Sequence, residues 1–187
     1  MEVKYPEIGI CGLSCRLCPG YHRDTAGRCP GCKTRERIAS GCPFITCALK
    51  RKKVEFCWDC DENSTCERWK RHREIGKKFD SFKYYQSLEK DIAFVEEKGI
   101  GEFERVQKVR EKLLTEMLQE FNDGRSKSYY CIAATVMDID ELEELLNGAR
   151  EVSNGWEVKE KARLLHGLLD ELARKRGYRL RLRKQPR

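Results

Sequence analysis

The sequence lacks any long apolar run. No stretch approaches the ~20 apolar residues that a membrane-spanning helix needs, so we expect no membrane span and no membrane partner. The first seven residues, Met1 to Glu7, lack the basic end and apolar stretch of a signal peptide. We also find no Ser-His-Asp signature and no pair of carboxylates in a setting that suggests acid–base chemistry. We therefore expect a cytoplasmic protein, in a compartment where disulfides are rare.

Cysteine, in contrast, is abundant. The 187-residue chain carries 11 cysteines, ten of them between positions 11 and 66, and Cys131 stands alone. So many cysteines in an intracellular protein indicate metal binding. The other apolar residues of this segment are too few to offset a backbone ordering cost of about 1–2 kcal/mol per residue. Because a structural zinc contributes ~10–16 kcal/mol, we expect the segment to need metal in order to fold.

The cysteine spacing is typical of a metal-binding module. Three pairs are separated by two residues, a gap that lets both sulfurs reach one ion. The candidate ligands are Cys11, Cys15, Cys18, Cys29, Cys32, Cys42, Cys47, Cys57, Cys60 and Cys66. Zinc fits the paired cysteines, with eight thiolates in two closed sites and two to spare, and an iron–sulfur cluster is the alternative. His22 is a further candidate ligand, although a solvent-facing histidine is the simpler interpretation.

Several of these motifs resemble one known family. They are Cys11-Gly12-Leu13-Ser14-Cys15 with Cys18, Cys29-Pro30-Gly31-Cys32, Cys47-Ala48, and Cys57-x2-Cys60 before Cys66-Glu67-Arg68. Over roughly residues 8–75 the chain is similar to the bacterial and archaeal cysteine-rich family called domain of unknown function 3795. The gap between Cys60 and Cys66 is longer than is usual there. The resemblance implies no established activity and, at most, zinc binding.

From Glu67 onward the apolar residues recur at helical spacing. The pattern predicts helices through Leu88–Val95 with a stop at Gly99, through Phe103–Phe121, through Leu142–Ala149 with Asp138 as N-cap, and through Val158–Leu172 between Asn154 as N-cap and a stop at Gly177. We therefore predict a mainly α-helical protein. Residues 1–78 form a small cysteine-rich module of metal-bound knuckles with little regular structure, and residues 79–187 form a helical bundle with a basic C-terminal tail.

The tail itself carries a second pattern. Tyr178 to Arg183 alternates apolar and basic residues, which predicts a short C-terminal strand with Arg179, Arg181 and Arg183 on one face. Residues 174–187 hold eight basic residues and no acidic one. The simple interpretation is a solvated edge strand, and the functional one is a basic strip for nucleic acid or an acidic protein partner.

Residues 124–137 are the best candidate for chemistry in the second half. If the apolar run from Tyr129 is a helix, its N-terminus gathers free amides, hydroxyls and cations into an anion site, with Arg125, Ser126, Lys127 and Ser128 as the candidate residues. Lys127 would lie one turn from Cys131 and favour its thiolate. A buried structural cysteine is the simpler interpretation, and a buried strand is the alternative for the run. A similar segment follows the cysteine-rich domain in some family members.

Together these patterns favour a zinc-binding protein of unknown biochemical role. A closed four-thiolate site leaves no open position for a substrate, so we expect a structural metal and a module that binds a protein or nucleic acid. The alternative is an iron–sulfur redox protein or a thiol-dependent enzyme that uses Cys131. The sequence singles out no catalytic residue, and whether the protein is an enzyme stays open.

Overall fold

The computed structural model describes residues 2–39, 42–81 and 87–184. Within these ranges the chain is mainly helical, as predicted. The α-helices are α1 (Arg35–Ala39), α2 (Pro43–Ile45), α3 (Glu67–Lys78), α4 (Leu88–Lys98), α5 (Ile100–Glu120), α6 (Lys127–Val136), α7 (Ile139–Val152) and α8 (Val158–Arg176). In the same ranges, no helix combines the length and the apolar character that crossing a bilayer requires.

The chain divides into two compact units. The first, which we call the cysteine-rich unit, comprises Met1–Arg105 and Leu182–Arg187. The second, the helical unit, comprises Val106–Arg181, so that the division falls inside α5. The boundary after residue 78, which rests on composition alone, stays a prediction.

Short elements and turns build the first part of the cysteine-rich unit. Single 3₁₀ turns lie at Cys15–Leu17 and Cys57–Asp59, and α2 runs on into wider π-helical turns at Thr46–Lys52. Lys53 ends that stretch in the left-handed region, at φ 57°. One small apolar cluster consists of Ile10, Ile45, Ala48 and Leu49, with Cys32, Cys42 and Cys57 packed against it. Cysteines therefore contribute directly to the packing of this region.

Two further apolar clusters lie in the described part of the unit. Trp69 of α3 packs with Leu88 and Ile92 of α4, and Cys11, Cys57 and Cys66 are among the side chains that contact this cluster. The other cluster is formed by Ile8, Phe56 and Phe103. As predicted, α4 ends at Gly99, whose φ of 83° suits a residue without a Cβ.

The helical unit contains the rest of α5 together with α6, α7 and α8. Asp138 caps α7 as predicted, because its side chain accepts hydrogen bonds from the amides of Asp140 at 3.0 Å and Glu141 at 3.2 Å. Gly177 ends α8 in the left-handed conformation, also as predicted. The run from Tyr129 to Val136 is helical, which decides between the helix and the strand that the sequence left open.

Two local predictions are wrong. Asn154 does not cap α8: Ser153 and Trp156 close a turn through a 3.0 Å backbone hydrogen bond, and Glu157 occupies the N-cap position instead. Among residues 178–184, which the structure describes, none forms the predicted strand. The backbone amide of Arg183 does not bond to a neighbouring strand but donates to the carboxylate of Asp80 at 2.8 Å. Residues 185–187 of the predicted basic tail lie outside the described residues.

Candidate functional site

All eleven cysteines are free thiols and lie in the described parts of the chain. The ten predicted ligands all belong to the cysteine-rich unit, where Cys15 is buried and the others are half-buried. The fold therefore keeps every predicted ligand out of full contact with water. Eight of the ten cysteines fall into two groups according to which other thiols lie near them.

The first thiol group contains Cys15, Cys18, Cys29 and Cys32. Cys15 and Cys32 are joined by a hydrogen bond between their thiols, and Cys18 lies close enough to Cys29 and Cys32 to interact with their charge. The 3₁₀ turn at Cys15–Leu17 brings the first pair together, because the amide of Cys18 donates to the carbonyl of Cys15 at 3.0 Å. The chain reversal predicted for a two-residue gap is present here.

Gly20 lies between the two pairs of the first group. A Cβ atom at Gly20 would lie 3.7 Å from Sγ of Cys18 and 3.6 Å from Cβ of Cys29. The carbonyl of Gly20 also accepts a 2.8 Å hydrogen bond from the amide of Cys29. This bond holds the second cysteine pair against the loop that carries the first pair.

The second thiol group contains Cys47, Cys57, Cys60 and Cys66, which line one small cavity of about 40 Å³. They come from three segments of the chain. Cys47 lies in the π-helical turns, Cys57 and Cys60 belong to a 3₁₀ turn and its C-cap, and Cys66 is the N-cap residue of α3. Phe44 and Trp69 also line this cavity. The cavity has room for only a few atoms.

Cys11 and Cys42 belong to neither group. Cys11 interacts electrostatically with Cys32 of the first group and with Cys42, and Cys57 of the second group interacts with Cys11. Cys11 therefore interacts with members of both groups, and Cys42 interacts with Cys11. Which cysteines would share an ion stays a prediction.

Burial and crowding disfavour the ionised form of these thiols. Burial raises the pKa of Cys11 to about 11, and burial together with the neighbouring thiols of Cys11 and Cys66 raises the pKa of Cys57 to about 12. The hydrogen bond with Cys32, followed by burial, raises the pKa of Cys15. Several thiolates cannot coexist in this unit unless a cation compensates their charge.

The sulfur atoms within each thiol group are neighbours. Within residues 2–39, 42–81 and 87–184, no three or more cysteine, histidine, aspartate or glutamate side chains are arranged to hold a metal ion. The chemistry of the donors, thiols in sets of four, nevertheless suits zinc or an iron–sulfur cluster. The ring of His22 lies with Nε2 2.5 Å from the backbone oxygen of Arg16. A metal centre in this unit stays a prediction.

A buried ion pair adjoins the first thiol group. The side chain of Lys33, the residue after Cys32, is 0 % exposed, and its Nζ donates to Glu55 at 2.9 Å and to the carbonyl of Tyr5 at 3.1 Å. The same Nζ lies 3.8 Å from the centre of the Phe56 ring. Burial lowers the pKa of Lys33, although Glu55 acts in the opposite direction. The sequence analysis missed this pair, because nothing local links positions 33 and 55.

The predicted anion or thiol site lies in the helical unit. Cys131 is 0 % exposed, one helical turn after Lys127. Ser126 is the N-cap residue of α6 and is buried, and Arg125 is exposed. Arg125 and Ser126 line an open cleft of about 630 Å³, whereas Lys127, Ser128 and Cys131 are not among its lining residues. The structure thus separates the two parts of the predicted site.

Three residues of α8 also line this cleft and contribute basic side chains: Lys159, Arg163 and His166. The sequence analysis did not connect them with Arg125, because they follow it by 34 or more positions. The available signal was their spacing of four and three residues, which places them on one face of a helix. The sequence does not predict which part of the chain packs beside this helix face. The cleft is therefore visible only in the folded structure.

A comparison with known families finds one match. Residues 7–71 match the model of the family described as "Protein of unknown function (DUF3795)". This match confirms the resemblance, and the matched segment contains all ten clustered cysteines. No curated protein and no solved structure matches the chain.

Proposed function

We propose, starting from the DUF3795 segment at residues 7–71, that this protein binds two structural zinc ions through four-thiolate sites. The observation that carries the proposal is the second thiol group, whose four cysteines line one small cavity. Four thiolates complete the tetrahedral shell of zinc and leave no position for a substrate. The metal in this proposal is therefore structural.

A zinc ion bound by the second thiol group would stabilise the fold of the cysteine-rich unit. The second thiol group joins the π-helical turns, the Cys57–Asp59 turn and the start of α3. An ion held by all four thiolates would link these three segments and restrict the unfolded chain. The apolar clusters beside them are small, so this link would supply stability that burial alone does not.

The first thiol group supports a second ion on the same grounds. It combines two cysteine pairs with two-residue gaps, and Gly20 lies against both pairs. Side-chain rotation would have to bring the sulfurs of each group together around the ion, since they are not arranged as ligands without it. Eleven free thiols favour a cytoplasmic location, where unpaired cysteines persist.

A structural metal takes no part in a reaction. We therefore propose that the protein acts by binding a protein or nucleic-acid partner at its surface. Basic residues near the C-terminus support this role only in part. Arg176 forms an ion pair with Glu141, and Arg183 forms one with Asp80. Both cations are thus already paired within the protein, and this reduces the positive charge that the tail could offer to nucleic acid.

Elemental analysis of protein purified without oxygen tests the proposal. We expect a colourless protein with two zinc ions per chain. The Cys60→Ala variant should lose one of the two ions, whereas Cys131→Ala, the matched control outside both thiol groups, should keep both. A brown protein with iron and sulfide would replace zinc by the iron–sulfur alternative. A metal-free protein that keeps its native circular dichroism would overturn the proposal.

A further inference from the structure

The open cleft of the helical unit carries an excess of positive charge. Arg125 precedes α6, and Lys159 and Arg163 lie one turn apart on α8. All three side chains are exposed. We propose that this cleft binds a small ligand that carries a phosphate group. The proposal is independent of the thiol groups, which lie in the other unit.

Close ion pairs do not neutralise the three cations among the described residues, although the charge of Arg125 acts on Asp123. No ion pair involves Arg125, Lys159 or Arg163 in that part of the chain, whereas Arg150 of the same unit pairs with both Glu116 and Glu120. Like charges one turn apart on a helix repel each other, as Lys159 and Arg163 do here. A bound anion would relieve that repulsion, because it would face all three cations.

Asp123 is the acidic residue of the cleft, and its carboxylate is already engaged. Its Oδ1 accepts hydrogen bonds from the amide of Arg125 and from Oγ of Ser126, each at 3.0 Å. These bonds lower the pKa of Asp123, so the carboxyl stays ionised and shapes the turn before α6. One carboxylate does not neutralise three cations, and the cleft keeps a net positive charge.

His166 lines the cleft next to Ser126. Its Nε2 lies 2.8 Å from Oγ of Ser126, and its ring stacks on Tyr129 with 4.2 Å between the centroids. Because the single hydroxyl proton of Ser126 is donated to Asp123, we assign the proton of the second bond to Nε2 of His166. His166 then cannot act as a base toward Ser126. This arrangement favours binding over nucleophilic catalysis.

The size and lining of the cleft define the ligand class. A volume of about 630 Å³ lies within the ~300–1,000 Å³ of small-molecule sites. Ala162 is the apolar residue of the lining, and the other lining residues carry charged or polar groups that can bind an anion. Two guanidinium groups and an ammonium group match the oxygens of a phosphate, which arginine binds in bidentate fashion. A small phosphorylated or polyphosphate compound satisfies both conditions.

Calorimetric titration of the 187-residue protein with pyrophosphate at constant ionic strength tests the proposal. We expect saturable binding of one pyrophosphate per chain and a shift of the His166 imidazole signal in NMR spectra. The double variant Lys159→Gln/Arg163→Gln should bind pyrophosphate at least about tenfold more weakly than the wild type does. The matched control, Arg174→Gln/Lys175→Gln, removes the same two charge types from exposed positions of α8 outside the cleft and should bind normally.

Three results would overturn the proposal. One is equal weakening in both double variants, which would show unspecific attraction to a basic helix. Another is binding that leaves the His166 signal unmoved. The third is the binding of a single-stranded oligonucleotide without saturable binding of pyrophosphate, which would assign the cations to nucleic acid. Since the wild-type titration and its NMR signal need no variant, a misfolded variant cannot hide the outcome.

Discussion

Arg183 and Asp80, 103 positions apart in the sequence, form a bidentate ion pair inside the cysteine-rich unit. Nε donates to Oδ2 at 2.8 Å and Nη2 donates to Oδ1 at 2.6 Å, and the Asp80 side chain is 0 % exposed. The guanidinium also donates to the carbonyls of Gly76 and Lys77 in the last turn of α3. One arginine near the end of the chain thus satisfies both a buried carboxylate and the C-terminus of a helix.

We therefore expect Arg183→Gln to destabilise the protein. Removing the guanidinium leaves the buried carboxylate of Asp80 without its counter-charge, although the backbone amide of residue 183 can still donate to it, and we expect a loss of about 2 kcal/mol, below the range for fully buried pairs because Arg183 is partly exposed. Urea unfolding followed by tryptophan fluorescence measures it. Arg181→Gln, which removes an exposed arginine two positions earlier, should change the free energy of unfolding by less than about 0.5 kcal/mol. Equal losses in the two variants would contradict the role of Asp80.

The ion pair between Lys33 and Glu55 should behave in the same way. Glu55→Gln leaves the buried ammonium of Lys33 without its counter-charge, and we expect it to lower the free energy of unfolding by about 3 kcal/mol. The matched control is Glu62→Gln, which breaks the solvent-exposed pair with Lys52 and should leave the free energy of unfolding nearly unchanged. Denaturant unfolding of both variants provides the comparison, and a control loss as large as that of Glu55→Gln would count against the buried pair.

Local signals explain what the sequence predicted well. Gly99 and Gly177 end α4 and α8 because each adopts a positive φ that other residues avoid, and this preference is visible without knowledge of the fold. The Asp138 cap depends only on amides two and three residues later. The apolar spacing of α5, α7 and α8 is likewise a property of neighbouring residues, so these helices were predictable.

Long-range contacts explain the errors and omissions. The alternation from Tyr178 to Arg183 is a strand pattern, but a strand needs a partner, and Arg183 bonds to Asp80 instead. The Lys33–Glu55 pair and the cleft between Arg125 and Arg163 join positions 22 and 38 residues apart. The grouping of the cysteines was predictable only in part. The spacing predicted pairs, but it could not predict which pairs would become neighbours in the fold.

The ion pairs of Arg150 predict a dependence of stability on pH. The hydrogen bond from Arg150 lowers the pKa of Glu120 in the folded protein. A carboxyl whose pKa is lower in the folded state stabilises the fold above its unfolded pKa, about 4.3, and loses this effect as the pH falls. Arg150→Gln should therefore lower the free energy of unfolding at pH 7 by about 1 kcal/mol, discounted for the partial exposure of the pair, and the difference from the wild type should shrink toward pH 3.

Urea unfolding at pH 7, 5 and 3.5 measures this difference. Arg174→Gln removes an exposed arginine of the same unit for which the described residues provide no ion pair, and its small effect should not change with pH. A difference between Arg150→Gln and the wild type that stays constant from pH 7 to 3.5 would contradict the role of Glu120. An effect that grows as the pH falls would reverse the sign expected from the lowered pKa.

Alkylation of the cysteines separates the two functions that the sequence left open. With metal bound, we expect the eight thiols of the two thiol groups to resist iodoacetamide because they would be ligands, and Cys131 to resist it because it is 0 % exposed. After chelation the ten thiols of the cysteine-rich unit should react, while Cys131 stays protected as long as the helical unit is folded. Peptide mass spectrometry reports each site, and urea supplies the control in which Cys131 must react. Modification of Cys131 in the native protein would instead favour a thiol-dependent enzyme, since only an accessible thiolate can serve as its nucleophile.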